Sequence, residues 1–516
     1  MTQAFDYIIV GAGNAGAPIA SRLSEDPSTK VLLIEAGPHF RSVDETPKDL
    51  LDSRAVSVDT HDWNYLTDVI PGRLFPYARG KVSGGCSSVN GCISLRGLEQ
   101  DFRQWASLGN DGWDWEDILP LYKRIESDLD FGCASYHGSS GRVPVVRFKP
   151  EEYSPVVSAF KRTAMGNGYA WVPDHNHPEG YDGVGPIPMN RAGDGTLRVS
   201  SSIAYLLEAQ GRSNLTIMDR SLVSRILFSG KRAIGVEILN SSGVAEIIHG
   251  GEVILSSGSI NSPAILLRSG IGPQDDLNRL GIDCVNNLQG VGSNLIDHSL
   301  AVVAAYPNPG IVNDSDDDVQ MVIHYTAPGS AFKNDMQIYC LGKLGAERFP
   351  GADPTRGLMF GTGIVINRPQ SRGRVSLDSS DPARQPRIDH RLNSHAEDMR
   401  KMVDGVRRGY ELLTSGELQQ ISSGVAVLDD AMISDTRALE NYISERSATI
   451  WHAIGTCKMG PSHDNHAVVD SSLNVYECSG LRVADCSIFP DHVSRNPMLT
   501  CYAVAEKLVD TIKSGR

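Results

Sequence analysis

Several things are missing from these 516 residues. No run of about eighteen or more apolar residues occurs, so no segment is expected to span a membrane. There is no basic patch and no long block of like charge. Acidic residues number 62 against 48 basic, a net charge of −14. That balance excludes a nucleic-acid surface and makes an anionic membrane a poor partner; neutral or cationic small molecules suit the field better. The nine cysteines are odd in number and show neither a CxxC nor a zinc-ligand spacing. They are expected to be mostly buried, reduced thiols. No GxSxG elbow is present, so serine hydrolysis has no motif. The opening "MTQAFDYIIVGAG" lacks a basic n-region and an apolar h-region. No signal peptide is expected, and the cytosol is the simplest location.

What is present is enough for a large core: 41 % of the residues are hydrophobic. The length fits two to four domains, or two large interleaved ones. "FDYIIVGAGNAGAPIASRL" reads as strand, tight turn and helix, with the strand over Tyr7–Val10 and the helix over Ala17–Leu23. Gly11, Gly13 and Gly16 fill the positions of GxGxxG. The first permits the turn, the second lets a pyrophosphate approach the backbone, and the third lets helix and strand pack closely. The helix N-terminus offers unpaired N–H groups to phosphate. "KVLLIEAGP" is a second buried strand ending at Glu35, an acidic residue placed to accept a ribose 2′-hydroxyl. Together these predict dinucleotide binding, without choosing between NAD and FAD. No second GxGxxG follows, as stacked NAD and FAD domains would usually show.

Two further stretches are rich in glycine. "ARGKVSGGCSSVNGCISLRG" (78–97) can wrap its backbone around a flat polar ligand. "EVILSSGSINSPAILLRSGIGP" (252–273) predicts a buried strand, a turn and a helix starting near Ser262–Pro263, capped by Ser262. Upstream, residues 215–251 alternate apolar and polar positions between turns, which predicts an antiparallel meander. "MQIYC" and "RVSLDS" read as further strands. In "VPDHNHPEGYDG", His175 and His177 have an H-x-H spacing, but no other ligand cluster supports a metal, and none is expected.

The GxGxxG with Glu35, "GKVSGGCSSVNG", "GSINSPAILLRSGIGP", "GVGSNLIDH" and the closing "WHAIGTCKMG … VADCSIFPDHVSRNPMLTCYAVAEKLVD" resemble, in order and from end to end, the glucose–methanol–choline oxidoreductases. The resemblance implies a mixed α/β (α+β) fold of the p-hydroxybenzoate hydroxylase-like kind. It would have a Rossmann-like FAD domain from 1–150, 210–300 and 440–516. A substrate domain with an antiparallel sheet would come from 151–209 and 301–439. It implies FAD contacts at Gly11, Gly13, Asn14, Ala15, Gly16, Glu35, Ala36, Gly80, Val82, Gly85, Asn90, Gly91, Val223, Ser257, Asp485, Asn496, Pro497 and Met498. Asn90 would lie near the reactive end of the flavin and Asp485 near the ribityl chain. Cys86 and Cys457 are expected only to pack.

The same resemblance makes His452 of "WHAIGTCKMG" the residue facing flavin N5. Its partner, twelve positions into "DCSIFPDHVSRN", is Asn496, as in the His/Asn members such as choline oxidases and hydroxymethylfurfural-type oxidases. A neutral imidazole, with an ordinary pKa of about 6.5, can take the hydroxyl proton of an alcohol. An amide can donate to the oxygen and cannot compete as a base. Val89 stands where some choline oxidases carry a His bonded to FAD, so FAD is expected to be non-covalent. The stretch 319–327, aligned with the carboxylate that holds choline, has no acid, so choline is disfavoured. Ile450, Trp451 and Gly91 are expected in the substrate pocket, with Trp451 an aromatic wall that suits a flat substrate. The expected reaction oxidises a primary aromatic or heteroaromatic alcohol, with oxygen giving hydrogen peroxide. A flavin dehydrogenase passing electrons to a quinone or protein, and a hydroxynitrile lyase with structural FAD, are the alternatives. The expected partners are the alcohol and oxygen.

Overall fold

A computed structural model describes residues 5–192 and 195–515. Its first sheet grows from the N-terminal strand. Phe5–Val10 lies between Val31–Ile34 and Ala245–Leu255 and is parallel to both, and Leu215–Met218 adds a fourth parallel strand beyond Val31–Ile34. The strands Tyr7–Val10 and Val31–Ile34 read as near-continuous apolar runs because both faces are covered. The strand Ala245–Leu255 changes partners along its length. Residues 245–249 pair antiparallel with Arg232–Leu239, which pairs with Leu222–Ser229; residues 250–255 are parallel to Phe5–Val10, and 253–255 also pair with Leu481–Val483. The expected meander therefore covers only 222–249. Leu215–Met218 belongs to the parallel set, because its apolar residues extend the core on the far side of Val31–Ile34.

The helices Gly16–Leu23, Trp115–Ile125 and Met498–Lys513 cover this sheet and share one core with it. The helix after Leu255 begins at Gly258, four residues before the expected start, and runs to Arg268. Pro263 thus sits inside it. The carbonyl that Pro263 cannot bond, Ser259 O, accepts instead from Thr456 Oγ1 at 2.7 Å, which removes the usual objection to proline within a helix. Ser262 does not cap this helix: its hydroxyl accepts from Ser257 N and donates to Asp485 Oδ2 at 2.6 Å.

The second sheet is antiparallel throughout. Its order is Ser422–Val425, Ser299–Pro307, Leu358–Ile366, Met336–Gly345, Val319–Tyr325 and Gly183–Pro186. Ala448–Thr449 also pairs with Ser299–Pro307, so these two residues, expected with the dinucleotide segments, join the second sheet. Side chains alternate between faces, as the pleat demands. Ile323, Ile338 and Ile364 pack under the helix Ala396–Leu413, while Val322, Tyr339 and Val365 face the opposite way. That second face looks onto a large cavity. Of the nine cysteines four are buried, three partly so and two exposed, fewer buried than expected; all are free thiols. No helix among the described residues is long and apolar enough to cross a membrane.

Candidate active site

One continuous cavity of about 1060 Å³ runs from the N-terminal glycine turn to the face of the second sheet. At one end the turn leaves no room for a side chain at Gly11 or Gly16. A Cβ on Gly11, where φ is +97°, would lie 2.6 Å from Ser256 O; one on Gly16 would lie 1.8 Å from Gly11 O. Gly16 therefore packs the helix onto the strand and stays off the cavity wall, whereas Gly11, Gly13, Asn14 and Ala15 line it. Glu35 ends its strand with Oε2 accepting from Ala12 N at 2.9 Å and Oε1 from Gly37 N at 2.8 Å. Burial raises its pKa in spite of these backbone donors. Each oxygen keeps a further lone pair for a hydroxyl.

Most of the other expected contacts reach the same cavity: Ala36, Gly80, Gly85, Asn90, Gly91, Val223, Ser257, Asp485, Asn496, Pro497 and Met498 all line it. Val82 does not. It packs with Leu50 and Val89 in a small apolar cluster, of which only Val89 reaches the cavity wall. Asp485 is buried, which raises its pKa, and it ties the helix Gly258–Arg268 to the short turn Cys486–Ile488 by accepting from Gly258 N, Ser262 Oγ and Ser487 N at 2.6–2.8 Å. Asn90 accepts from Cys92 N at 3.0 Å and directs its amide N–H to Met498 Sδ. Cys86, expected only to pack, also lines the cavity and receives Arg79 Nη1 at 3.5 Å; Cys457 is buried, as expected. This shape fits a dinucleotide: a backbone cradle, an acidic ribose acceptor, and the N-terminus of the helix Met498–Lys513 at the far end.

At that far end His452 and Asn496 come together, with Asn496 Nδ2 3.3 Å from His452 Nε2. Their neighbours decide where the protons sit. Asn367 O can only accept, and it lies 2.9 Å from His298 Nε2. A neutral His298 then has a bare Nδ1, which faces His452 Nδ1 at 2.9 Å. His452 must carry its proton on Nδ1, so its Nε2 is a bare acceptor turned toward Asn496. Asn496 Oδ1 in turn accepts from Tyr339 OH at 3.1 Å. This leaves the Asn496 amide N–H groups for His452 and for whatever lies in the cavity. Burial pushes the His452 imidazole down to about 3, and burial with the neighbouring His492 and His452 pushes His298 well below its ordinary value. Both rings are neutral at physiological pH. The His452 backbone is pinned by Asp297 Oδ1, which accepts its N–H at 2.9 Å; Tyr77 OH holds the other oxygen of the same carboxylate. His298, Tyr339 and Asp297 hydrogen-bond to His452 or Asn496, and the motifs do not single them out.

Ile450 and Trp451 turn opposite ways. Ile450 packs with Ile93, Met189, Leu300 and Tyr339, which form an apolar chamber beside His452. Trp451, in a left-handed conformation with φ of +62°, packs with Trp63, Tyr65 and Ala453 on the dinucleotide side. It lines the cavity, but Tyr339 is the aromatic residue of the chamber. Gly91 leaves space: the nearest atom to an added Cβ is Val56 Cγ1 at 3.7 Å. The stretch 319–327 contributes Val319 and no acid. However, Asp317 and Asp318 just ahead of it line the mouth, with Arg191 4.0 Å from the former and Lys343 3.6 Å from the latter.

The H-x-H pair separates. His175 Nδ1 meets His324 Nδ1 at 3.0 Å in the core, while His177 packs against Tyr136 and Tyr181. Glu126, Asp128 and His137 do cluster. Yet both His137 nitrogens already face carboxylates, Glu126 at 2.7 Å and Asp174 at 3.0 Å, and Arg147 spans Asp128 and Asp174. Arg96 completes the group at Glu126. With Asp130, 3.6 Å from Arg147 and paired with Lys149, four carboxylates face two guanidiniums, one ammonium and one imidazolium, a balanced knot with no lone pair of His137 left for a cation.

Family models described as GMC oxidoreductase match residues 5–300 and 369–505. The chain belongs to the GMC oxidoreductase family. It is 33 % identical to the 5-(hydroxymethyl)furfural oxidase of Methylovorus sp., covering 98 % of both chains. It is also 33 % identical to the choline oxidase of Arthrobacter globiformis, over 99 % of this chain and 95 % of that one. Pyridoxine 4-oxidase from Mesorbium loti superposes with a TM-score of 0.89 at 28 % identity, over 99 % of each chain. The mixed α+β fold, with its Rossmann-like and antiparallel sheets, matches the two-domain architecture of these GMC enzymes. The protein is an FAD-dependent oxidoreductase, and at family level its substrate is of the alcohol type.

Proposed function

We propose that this enzyme oxidises a primary alcohol carried on an aromatic or heteroaromatic ring to the aldehyde, with oxygen as electron acceptor and FAD held without a covalent bond. The observation that carries the reading is the His298–His452–Asn496 chain, which ends in a bare Nε2 beside an apolar chamber. Bound FAD supplies the hydride acceptor. His452 Nε2 takes the hydroxyl proton. The Asn496 amide donates to the alcohol oxygen and stabilises charge developing there, held in orientation by Tyr339. The apolar walls of Ile93, Met189, Leu300 and Ile450 exclude water and suit a flat ring. Relatives named for hydroxymethylfurfural and pyridoxine support a ring-bearing alcohol. Choline is disfavoured because the carboxylates at the mouth already face cations. Val89 on the cavity wall offers no atom to bond the flavin.

The test is an absorption spectrum of purified protein without air, before and after benzyl or furfuryl alcohol, followed by air. The flavin band should bleach and return with hydrogen peroxide. Bleaching that persists in air would replace oxygen with another acceptor. A band that neither alcohol bleaches would contradict the aromatic-alcohol reading, and cleavage of mandelonitrile would then identify a lyase.

A further inference from the structure

We propose that Arg268 is a cofactor-binding residue that holds the adenine end of FAD. A dinucleotide fold sets the pyrophosphate on the glycine turn and a ribose on the acidic residue that ends the second strand. The adenine must then occupy the cavity beyond Glu35. There Ser221 N donates to Glu35 O at 2.9 Å, so the strand that starts at Leu222 leads away from the acidic residue. Two residues past Leu222, Ser224 O accepts from Arg268 Nε at 2.7 Å. Val223, Ile265 and Arg268 all line the cavity at this point. Ile265 and Arg268 stand three residues apart on the helix Gly258–Arg268 and so share one face of it.

The state of Arg268 is unusual for a purely structural residue. It is 9 % exposed and makes no ion pair with a carboxylate among the described residues. Burial lowers its pKa to about 10, with only Tyr65 and Asp381 acting against that fall. One of its five donors serves the Ser224 carbonyl; the remaining four have no hydrogen-bond partner among the described residues. A desolvated guanidinium without a carboxylate is stabilised by an aromatic face and by ring-nitrogen acceptors. Adenine offers both, and Val223 and Ile265 give it apolar walls.

The experiment uses the full chain stripped of FAD. FAD binding is titrated by flavin fluorescence, and ADP, which lacks the flavin, by competition. Arg268→Leu should raise the Kd of FAD and of ADP by the same factor, about tenfold, the size of a partly desolvated cation–π contact. Arg268→Lys keeps the charge and loses the planar fork, so it should fall between. The melting temperature of the FAD-free protein should fall by at most about 2 °C, the loss of the one Ser224 bond, and should not track the change in Kd. An unchanged ADP affinity in Arg268→Leu would overturn the proposal. So would a loss of affinity that tracks an equal loss of FAD-free melting temperature in both variants, since that is the signature of the Ser224 tie alone.

Discussion

At the inner end of the cavity His452 and His298 hold one proton between facing Nδ1 atoms 2.9 Å apart, whereas His137 gives a proton from each nitrogen, to Glu126 and to Asp174. Both places are buried and rich in polar groups. The first avoids the cost of a buried charge by staying neutral, through a chain that starts at a backbone carbonyl. The second keeps charge and balances it with Arg96 and Arg147. Burial opposes the charge on His137, but its hydrogen bonds to Asp174 and Glu126 raise its pKa above the ordinary value. A buried histidine is suited to act as a base where its outer nitrogen is left bare and opens on a cavity. A histidine with both nitrogens committed is structural.

The largest effect should come from breaking the neutral chain at its end. His452→Ala should slow anaerobic bleaching of the flavin by an aromatic alcohol by about 10²- to 10⁴-fold, the usual contribution of a positioned base, with FAD still bound. Stopped-flow absorbance measures it, and a near-normal rate would remove His452 from the base role. The matching change in the charged knot, His137→Gln, removes one buried cation and leaves Glu126, Asp128 and Asp174 to Arg96 and Arg147 alone. It should lower unfolding stability by roughly 3–5 kcal/mol, read as a shifted urea midpoint, with the bleaching rate of the folded fraction unchanged. A slowed rate at unchanged stability would make the knot part of the active site.

The two regions should also respond to pH with opposite sign. The folded pKa of His175, His298, His324, His452 and His492 lies below the unfolded value, burial being the first cause in each. Below about pH 6.5 the unfolded chain binds protons that the folded one refuses. Each such histidine should then remove up to about 1.4 kcal/mol of stability per pH unit. His137 has a raised folded pKa. Its contribution is fully present below the unfolded value and is lost as pH rises through the folded one. Urea midpoints between pH 5 and 9 in the parent and in His137→Gln separate the two. If the variant keeps the alkaline loss of the parent, His137 is not its source. The smallest effect belongs to Tyr339→Phe, which deletes one hydrogen bond of about 1 kcal/mol. It frees the Asn496 amide to rotate and should slow bleaching about fivefold, with FAD affinity unchanged. An unchanged rate would mean that Asn496 is oriented by other contacts.

The dinucleotide end is legible in the sequence because its determinants are local. Gly11, Gly16 and Glu35 lie within one strand–turn–helix–strand unit, and their spacing already states the geometry. The chemical end is legible only as motifs. Nothing near His452 announces His298, 154 positions away, and "GVGSNLIDHSL" reads as a glycine-rich turn. Tyr339 is visible as part of a strand, but the face it occupies depends on the register with Val322 and on which side the helix Ala396–Leu413 covers. Ser262 misleads for the same reason. Its hydroxyl resembles a helix cap, yet Asp485, 223 positions later, claims it, and Thr456 satisfies the carbonyl that lets the helix start earlier. Trp451 could be placed beside His452 by sequence, but its side is set by a left-handed backbone that no local pattern predicts.

The most direct test of the neutral chain is the ¹⁵N spectrum of the FAD-loaded protein with labelled histidine, the His452 signals assigned by their loss in His452→Gln. From pH 8 down to pH 5, His452 should show a protonated Nδ1 and a bare Nε2. An imidazolium at pH 7, or a proton on Nε2 with a bare Nδ1, would contradict the assignment of His452 as the waiting base.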